Sequence, residues 1–441
     1  MTATADSTNE DRAAAGKPSL GRNASWVLTG NAVYGATQWL VLVVLAKMGQ
    51  PEMVGQFAVG LSISAPVILF ANLSLGTVQC TDARREFSFG EYLALRCVTT
   101  SLAIIGVMAV ATGAGLGRET AFVTLAIGAA KAIDAISDIF LSLLQQRERM
   151  DAVAKTMACN GICTLVAVSC ALWATGNVAV AALGSTIGSM VALLAFAVPQ
   201  SVTALRSENP ATVRPHDLWL RLRPTFSRRR MSALTRLALP LGVTAMLLSL
   251  SSSIPRLLLQ QSKGEHDVGI FAAVASLMMI GGTITTALGQ AASPRLALHY
   301  ARHERAAFRA LLLRLLLVAA VLGVLGLGIA FVAGGWILAL LFGSEYSAHA
   351  DAFALLMATA GVTYVLGFMG VAVTAMRLLR PQVPMHVVNI LLLGVTCAVL
   401  IPSQGILGSC WAMFACTTLF TVGYAGLLIV GVRAFNTAAR P

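Results

Sequence analysis

Three charged residues, Lys131, Asp134 and Asp138, lie inside a long apolar stretch and are spaced three and four residues apart. On a helix this spacing places the three side chains on one face. Charges inside an apolar span are costly and by default indicate a functional site. Two acids beside one Lys make a net negative cluster, in which one acid is expected to hold a proton near neutral pH. The spacing predicts an ion- or proton-coupling site at Asp134 and Asp138; the alternative is a self-neutralising cluster that joins two helices.

Three arginines, Arg96, Arg256 and Arg314, also lie within or near apolar stretches. A guanidinium matches phosphate oxygens through paired hydrogen bonds, so these residues and Lys131 are candidates for binding a diphosphate. Arg256 is the deepest of the three. Arg96 and Arg314 lie near the ends of their stretches, where snorkelling to lipid headgroups is the alternative.

Uncharged polar residues recur in the first two and in the seventh and eighth stretches, and Asn31 and Gln38 are the strongest candidates among them. Such side chains can line a cavity large enough for a sugar. They also join helices in any membrane bundle, which is the alternative for each of them.

The composition limits which elements can position these residues. The chain has 441 residues, of which 57% are apolar and only 11% are charged. A water-soluble globular protein has about a quarter of its residues charged, so the sequence predicts an integral membrane protein. Because only helices and closed barrels satisfy the backbone in lipid, apolar stretches of about 20 residues predict an all-α multi-pass fold. Twelve such stretches are found, at residues 26–46, 54–78, 92–112, 121–144, 152–174, 178–199, 237–260, 268–290, 310–334, 352–375, 383–401 and 406–432.

The loop cations are distributed unevenly over the two sides of this topology. All of them except Lys47, Arg118 and Lys263 fall in the tails and in alternate loops that share one side. Lys and Arg collect on the cytoplasmic side of membrane proteins. The sequence therefore predicts that both termini are cytoplasmic.

A basic segment of residues 201–236 divides the chain into two halves, and it contains eight Arg and three Pro. It has no aromatic interleaving and no fold signature of a nucleic-acid-binding protein, so it is interpreted as a solvated cytoplasmic linker with no nucleic-acid partner. The predicted organisation is a disordered cytoplasmic tail (1–23), a six-helix lobe (24–200), the linker (201–236), a second six-helix lobe (237–432) and a cytoplasmic tail (433–441).

The two halves resemble each other in sequence. VGQFAV at residues 54–59 recurs as VGIFAA at 268–273, and Arg96 is echoed by Arg314. Six-helix repeats that start on the same side of the membrane must be parallel, related by a pseudo-two-fold axis along the membrane normal. Transporters built in this way bind substrate between the halves.

Several motifs together resemble the polysaccharide and lipid-linked oligosaccharide flippases of the multidrug, oligosaccharidyl-lipid and polysaccharide exporter superfamily. They are the VGxFA repeats, LQQRERMD at 144–151, RLALPLG at 236–242, FGSEY at 342–346 and IPSQGILG at 401–408. The resemblance covers nearly the whole chain after the first tail. The segment IPR at 254–256 departs from relatives that carry an acid before the Arg, which leaves Arg256 more available to an anion.

The resemblance implies that an undecaprenyl-diphosphate-linked oligosaccharide moves from the inner to the outer leaflet of a bacterial inner membrane. Membrane lipids, and a polysaccharide polymerase with its export machinery, are the implied partners. The diphosphate headgroup would need a basic polar cavity, because an unpaired charge at the bilayer centre costs a few kcal/mol or more, on the order given by insertion scales.

Two other functions are weighed against a flippase. A polymerase or glycosyltransferase would need paired acids for general acid–base catalysis, but the acids of the predicted outer loops, on the side opposite the cytoplasm, are scattered. A multidrug exporter of the same superfamily would favour an acidic cavity for cationic drugs. The chain contains no GxxxxGK[ST] loop for ATP, and Cys159 and Cys163 have no second pair at metal-ligand spacing, so no cofactor is expected.

Overall fold

The computed structural model describes residues 20–82, 86–208, 222–378 and 381–437, and all regular elements in these segments are helices. The predicted all-α fold is confirmed. The apolar stretches become helices because a backbone in lipid must satisfy its own hydrogen bonds.

Within the described residues, the first half of the chain contains eight α-helices that build six spans. The second span is interrupted at Leu73 and Ser74, both with positive φ, and the sixth contains a π-helical turn at Leu193–Ala197. The helices are α1 Leu20–Met48, α2 Pro51–Asn72, α3 Leu75–Thr81, α4 Phe89–Gly113, α5 Arg118–Gln146, α6 Met150–Thr175, α7 Val178–Ala192 and α8 Val198–Glu208.

The second half also builds six spans, and its second span is likewise interrupted, at Leu277. A 3₁₀ turn at Ser344–His349 precedes α13. The helices are α9 Arg228–Lys263, α10 Glu265–Ser276, α11 Met278–Ala301, α12 Arg305–Leu341, α13 Ala350–Ala375, α14 Gln382–Gln404 and α15 Ile406–Thr437.

Eleven of the spans are long and apolar enough to cross a membrane, judged by length and composition. The remaining long helix is α5, which has 29 residues and carries Lys131, Asp134 and Asp138 in its central turns. Together they make the twelve spans that the sequence predicts, so the chain is a multi-pass membrane protein.

The helices extend further than the apolar stretches do. Residues 20–23 of the predicted first tail, residues 201–208 and 228–236 of the predicted linker, and residues 433–437 of the predicted last tail are helical. Local hydropathy marks only the part of a helix that lies in lipid, so polar helix ends are missed. The remainder of the predicted tails, and residues 209–221 of the linker, lie outside the described residues.

Each half packs mainly on itself, and the halves meet where α2 contacts α9 and α10. The first turns of α9 pack on the first half, because Leu234 and Ala238 are fully buried in one apolar cluster with Leu75 and Phe140. The backbone before α9 is also attached there, since the amide of Thr225 donates to the carbonyl of Gly90 at 2.8 Å. The first turns of the seventh span thus belong to the first half by packing.

The two ends of the molecule differ in the charge of their loops. The arginine-rich face carries the loops after α5, before α9 and before α12, and the arginine-poor face carries the loops after α1, α4 and α9.

Candidate functional site

A cavity of about 580 Å³ contains the charged cluster of α5. Its wall comes from α1, α2, α3 and α5, with one residue, Ala245 of α9, from the second half. It extends from Tyr34 and Ala65 in mid-span to Thr81 and Gln145 near the arginine-rich face. Lys131, Asp134 and Asp138 all line it, so the structure brings the three residues together on one wall, as their spacing predicts.

Asp134 is held by donors from three helices. Its Oδ2 lies 3.2 Å from Nζ of Lys131, and its Oδ1 accepts hydrogen bonds from Nδ2 of Asn160 at 3.0 Å and from Oγ of Ser189 at 2.8 Å. The hydroxyl of Tyr34 also contacts the Lys131 ammonium. A carboxylate with this many partners fixes α5 against α6 and α7.

Asp138 has a different environment. Its Oδ2 lies 3.0 Å from Nη2 of Arg96, and its side chain is 49% exposed toward the cavity, whereas Arg96 has no exposed surface. Nη1 of Arg96 donates to the carbonyl of Asn72 at 2.9 Å, at the end of α2 where the second span is interrupted. Arg96 therefore connects the cavity-facing acid to the break in a neighbouring span.

The expectation of a net negative cluster is corrected by this geometry. Arg96, which the sequence groups with the phosphate-binding cations, supplies a second positive charge, so two acids face two bases and the formal charges balance. Its burial also places it out of direct reach of a substrate in the cavity. Arg96 and Asp138 are 42 positions apart in the chain, which hides this pair from any local pattern in the sequence.

Arg256 has no hydrogen bond or ion pair within the described part of the chain, and its Nε is buried. It lies in α9 eleven residues after Ala245, which lines the cavity. Eleven residues make three helical turns plus about 20°, so both residues share one helical face about 16 Å apart along the axis. A half-buried cation inside a membrane span is costly without a partner, which favours an anion as its ligand.

The other predicted residues lie around this arrangement rather than in it. Asn31 is exposed and Gln38 is half-buried, and both share one face of α1 with the cavity residue Tyr34, because they are spaced three and four residues from it. Arg314 is exposed on α12. Arg96 and Arg314 occupy matching positions in the two halves, but Arg96 is buried and Arg314 is exposed.

A protein-family model described as "Polysaccharide biosynthesis protein" matches residues 20–299. This is more than half of the chain. The chain belongs to the polysaccharide biosynthesis protein family.

One relative and two solved structures extend this assignment. The capsular polysaccharide biosynthesis protein CapF of Staphylococcus aureus is 23% identical over 391 residues, which are 88% of this chain and 94% of CapF. The inward-facing conformation of a MATE-family transporter of the MOP superfamily matches with a TM-score of 0.74 at 12% identity, over 94% of this chain and 100% of that one. The inward closed conformation of the lipid II flippase MurJ matches with a TM-score of 0.70 at 9% identity, over 92% and 91%. This member of the polysaccharide biosynthesis protein family thus has the transporter fold that its motifs predict.

Two residues that hold the charged cluster were not predicted, Asn160 and Ser189, which both donate to Asp134. Asn72 is one of the uncharged polar residues that the second stretch offers for a cavity; it lines the cavity and ends α2 with its Oδ1 buried and without a hydrogen-bond partner in the described residues. An amide in an otherwise apolar span is the only signal that the sequence offers for Asn160. Ser189 gives no signal, because serine is common where membrane helices pack closely.

Proposed function

We propose that this protein is a flippase that moves a lipid-linked oligosaccharide, carried on undecaprenyl diphosphate, across a bacterial inner membrane by alternating access. The observation that carries the proposal is a polar, charged cavity at mid-membrane in a chain of the polysaccharide biosynthesis family with a transporter fold. The arginine-rich face is cytoplasmic, as are both termini, because cations collect there. A polysaccharide polymerase and its export machinery would receive the product.

In this proposal Arg256 binds the diphosphate directly. It has no hydrogen bond or ion pair within the described residues, and an anionic ligand would offset the cost of holding its charge inside a span. Lys131 lies on the cavity wall and provides a second positive charge, although it shares that charge with Asp134. Asn31 and Gln38, on the Tyr34 face of α1, provide hydrogen bonds to sugar hydroxyls. Arg314 would contact the headgroup at the arginine-rich entrance.

The two acids have different roles in the proposal. Asp138 is half-exposed to the cavity and has one charged partner, so an ion or a proton from the cavity can compete with Arg96 for it. Asp134 is enclosed by Lys131, Asn160 and Ser189, and it supports Lys131 in position. Coupling therefore acts at Asp138, and Asp134 shapes the site around it.

The decisive experiment uses purified protein in lipid vesicles with a labelled undecaprenyl-diphosphate oligosaccharide in one leaflet. A flippase moves the label to the other leaflet, where an added sugar-modifying enzyme reaches it, without changing the length of the sugar. Elongation of the sugar by the purified protein would instead make it a polymerase. Movement of organic cations but not of the lipid-linked sugar would make it a drug exporter.

A further inference from the structure

The repeated VG motif of the two halves faces itself across the molecule. Gly55 of α2 lies against the backbone of Glu265, and a methyl group at Gly55 would overlap the Glu265 carbonyl oxygen. Gly269 of α10 lies against Pro51 in the same manner, and a methyl group there would overlap the Pro51 carbonyl oxygen. Gly55 thus meets the carbonyl of Glu265, four residues before Gly269, and Gly269 meets the carbonyl of Pro51, four residues before Gly55.

Reciprocal contact of this kind is what a two-fold axis produces, because residue i of one unit meets residue j of the other and j meets i. The axis passes between α2 and α10, the helices through which the halves meet. Both glycines lie at the start of the second span of their half, toward the arginine-poor face. The lining of the cavity that contains Lys131 extends from mid-span toward the opposite, arginine-rich face.

We propose that Gly55 and Gly269 form the closure between the two halves at the arginine-poor face, and that this closure must open when the cavity is exposed to that side. The inference rests on the proposed alternating-access function. Glycine is required at both positions because the backbones touch without room for a side chain. Close backbone approach through small residues is a common way for membrane helices to associate.

Apolar side chains seal the contact around the glycines. Val54 and Val268 have no exposed surface, and Ile270 and Phe271 are 1% exposed. A dry interface of this kind blocks a polar headgroup from the arginine-poor face. It depends on close packing, so a displacement of α2 from α10 opens it.

Polar contacts at the rim hold the closure weakly. Nδ1 of His266 lies 2.8 Å from Oε1 of Glu52, its Nε2 lies 3.5 Å from Oε1 of Glu345, and Thr120 donates to Glu265. His266 and Glu52 are both more than one-third exposed. Exposed pairs contribute little to stability, about 0–1 kcal/mol, so the contacts of His266 can be released in each cycle. The glycine fit, rather than the ion pairs, then decides whether the halves can close.

The closure is tested by cross-linking across it. Glu52→Cys and His266→Cys are introduced together, and a short reducible bifunctional thiol reagent is applied to membranes. The linked peptides are identified by mass spectrometry, which separates them from products of the native cysteines. We expect efficient linkage in the parent, and about a tenfold lower rate with Gly269→Ala or Gly55→Ala, a size set by the usual cost of overpacking.

Gly282→Ala is the matched control. Gly282 lies in the same span as Gly269, and a methyl group there would meet nothing within 4 Å. It should link at the parent rate. Parent-rate linkage in a folded Gly55→Ala or Gly269→Ala protein overturns the inference, and so does a folded parent pair that does not link at all. If the alanine variants fail to accumulate, the closure is tested on the parent pair alone, by whether it links and whether linkage stops translocation.

Transport distinguishes this inference from the function on which it rests. In the vesicle assay the linked parent pair should stop translocation, and a reducing agent should restore it. Unchanged translocation with the pair linked overturns the closure. A protein whose linkage depends on the glycines but which moves no lipid-linked oligosaccharide would retain the closure and reject the flippase.

Discussion

Arg256 is half-buried with a buried Nε, carries a full charge and has no hydrogen bond or ion pair in the described part of the chain, and the bilayer makes that combination costly. If it binds the diphosphate, Arg256→Ala should lower the rate of translocation by on the order of thirtyfold, which corresponds to about 2 kcal/mol for a charge-assisted hydrogen bond. Arg256→Lys should keep part of the rate, because the charge remains while the paired geometry is lost. The initial rate of leaflet exchange in vesicles measures both.

The control for Arg256 is Arg309→Ala, which removes an exposed arginine near the start of α12 and should leave the rate unchanged. The amount of folded protein is compared by size-exclusion chromatography in detergent. A folded Arg256→Ala protein that works at the parent rate would remove this residue from the binding site.

Asp138 and Asp134 should respond differently to the same isosteric change. Asp138→Asn keeps the shape of the side chain but cannot exchange a proton, so translocation should lose its dependence on a pH gradient, and loss of the pair with Arg96 should also lower the melting temperature of the folded protein. Asp134→Asn loses the ion pair to Lys131 and reverses part of its hydrogen bonding, so its main effect should be a lower melting temperature. Vesicle assays at a series of imposed gradients, with melting curves in detergent, separate the two effects.

Asp151→Asn serves as the control for both acids, since Asp151 is in an exposed pair with Arg149 and Lys155 at the start of α6. Its gradient dependence should match that of the parent. If Asp138→Asn also keeps the parent's gradient dependence, the cluster in α5 is structural, which is the alternative that the sequence left open.

At the level of elements, the side chain of Arg96 contacts the interruption of the second span. Arg96 donates to Asn72, the last residue of α2, and is paired with Asp138 of α5, so it connects its own helix, α4, to both α2 and α5. Leu73 and Ser74 adopt positive φ, which is unfavourable for residues with a Cβ and needs support from the surrounding structure. A broken span in a transporter commonly lies beside the binding site, and here the break lies next to the cavity acid.

Removal of Arg96 should therefore be coupled to Asp138. Arg96→Met should destabilise the protein by about 3 kcal/mol, because it leaves a buried pair without one partner. Asp138→Asn should lower the free energy of unfolding less in the Arg96→Met protein than in the parent. The difference between the two effects is the coupling energy of the pair. Thermal unfolding of the four proteins in detergent measures it. Strict additivity would show that the two side chains do not act together.

On the scale of the whole molecule, the faces are distinguished by charge and the halves by symmetry. Arg228 lies at the arginine-rich face and Glu119 at the arginine-poor face, and both are exposed. A membrane-impermeant maleimide should label Glu119→Cys in intact cells, and it should label Arg228→Cys only after the membrane is opened. The background protein carries Cys170→Ser, because Cys170 is the exposed one among the native cysteines. Labelling of Arg228→Cys in intact cells would reverse the predicted orientation.

The amino-acid sequence by itself determined the membrane class, the twelve spans, the charge asymmetry of the two faces and the repeat of six spans. These properties depend on local composition and on the thickness of the bilayer, which act on each stretch separately. The stacking of Lys131, Asp134 and Asp138 was also readable, since it follows from helical geometry alone. Polar helix ends such as residues 201–208 were missed, because hydropathy reports lipid contact rather than helix length.

Only the tertiary structure decided which charges meet. Arg96 and Arg314 occupy matching positions in the repeat, yet one is buried against Asp138 and the other is exposed, because their neighbours come from other helices. The VG motifs were visible as a repeat, but that Gly55 and Gly269 lie against each other's helices depended on how the halves pack. Contacts between residues far apart in the chain arise from the packing of whole helices, and no local pattern encodes them.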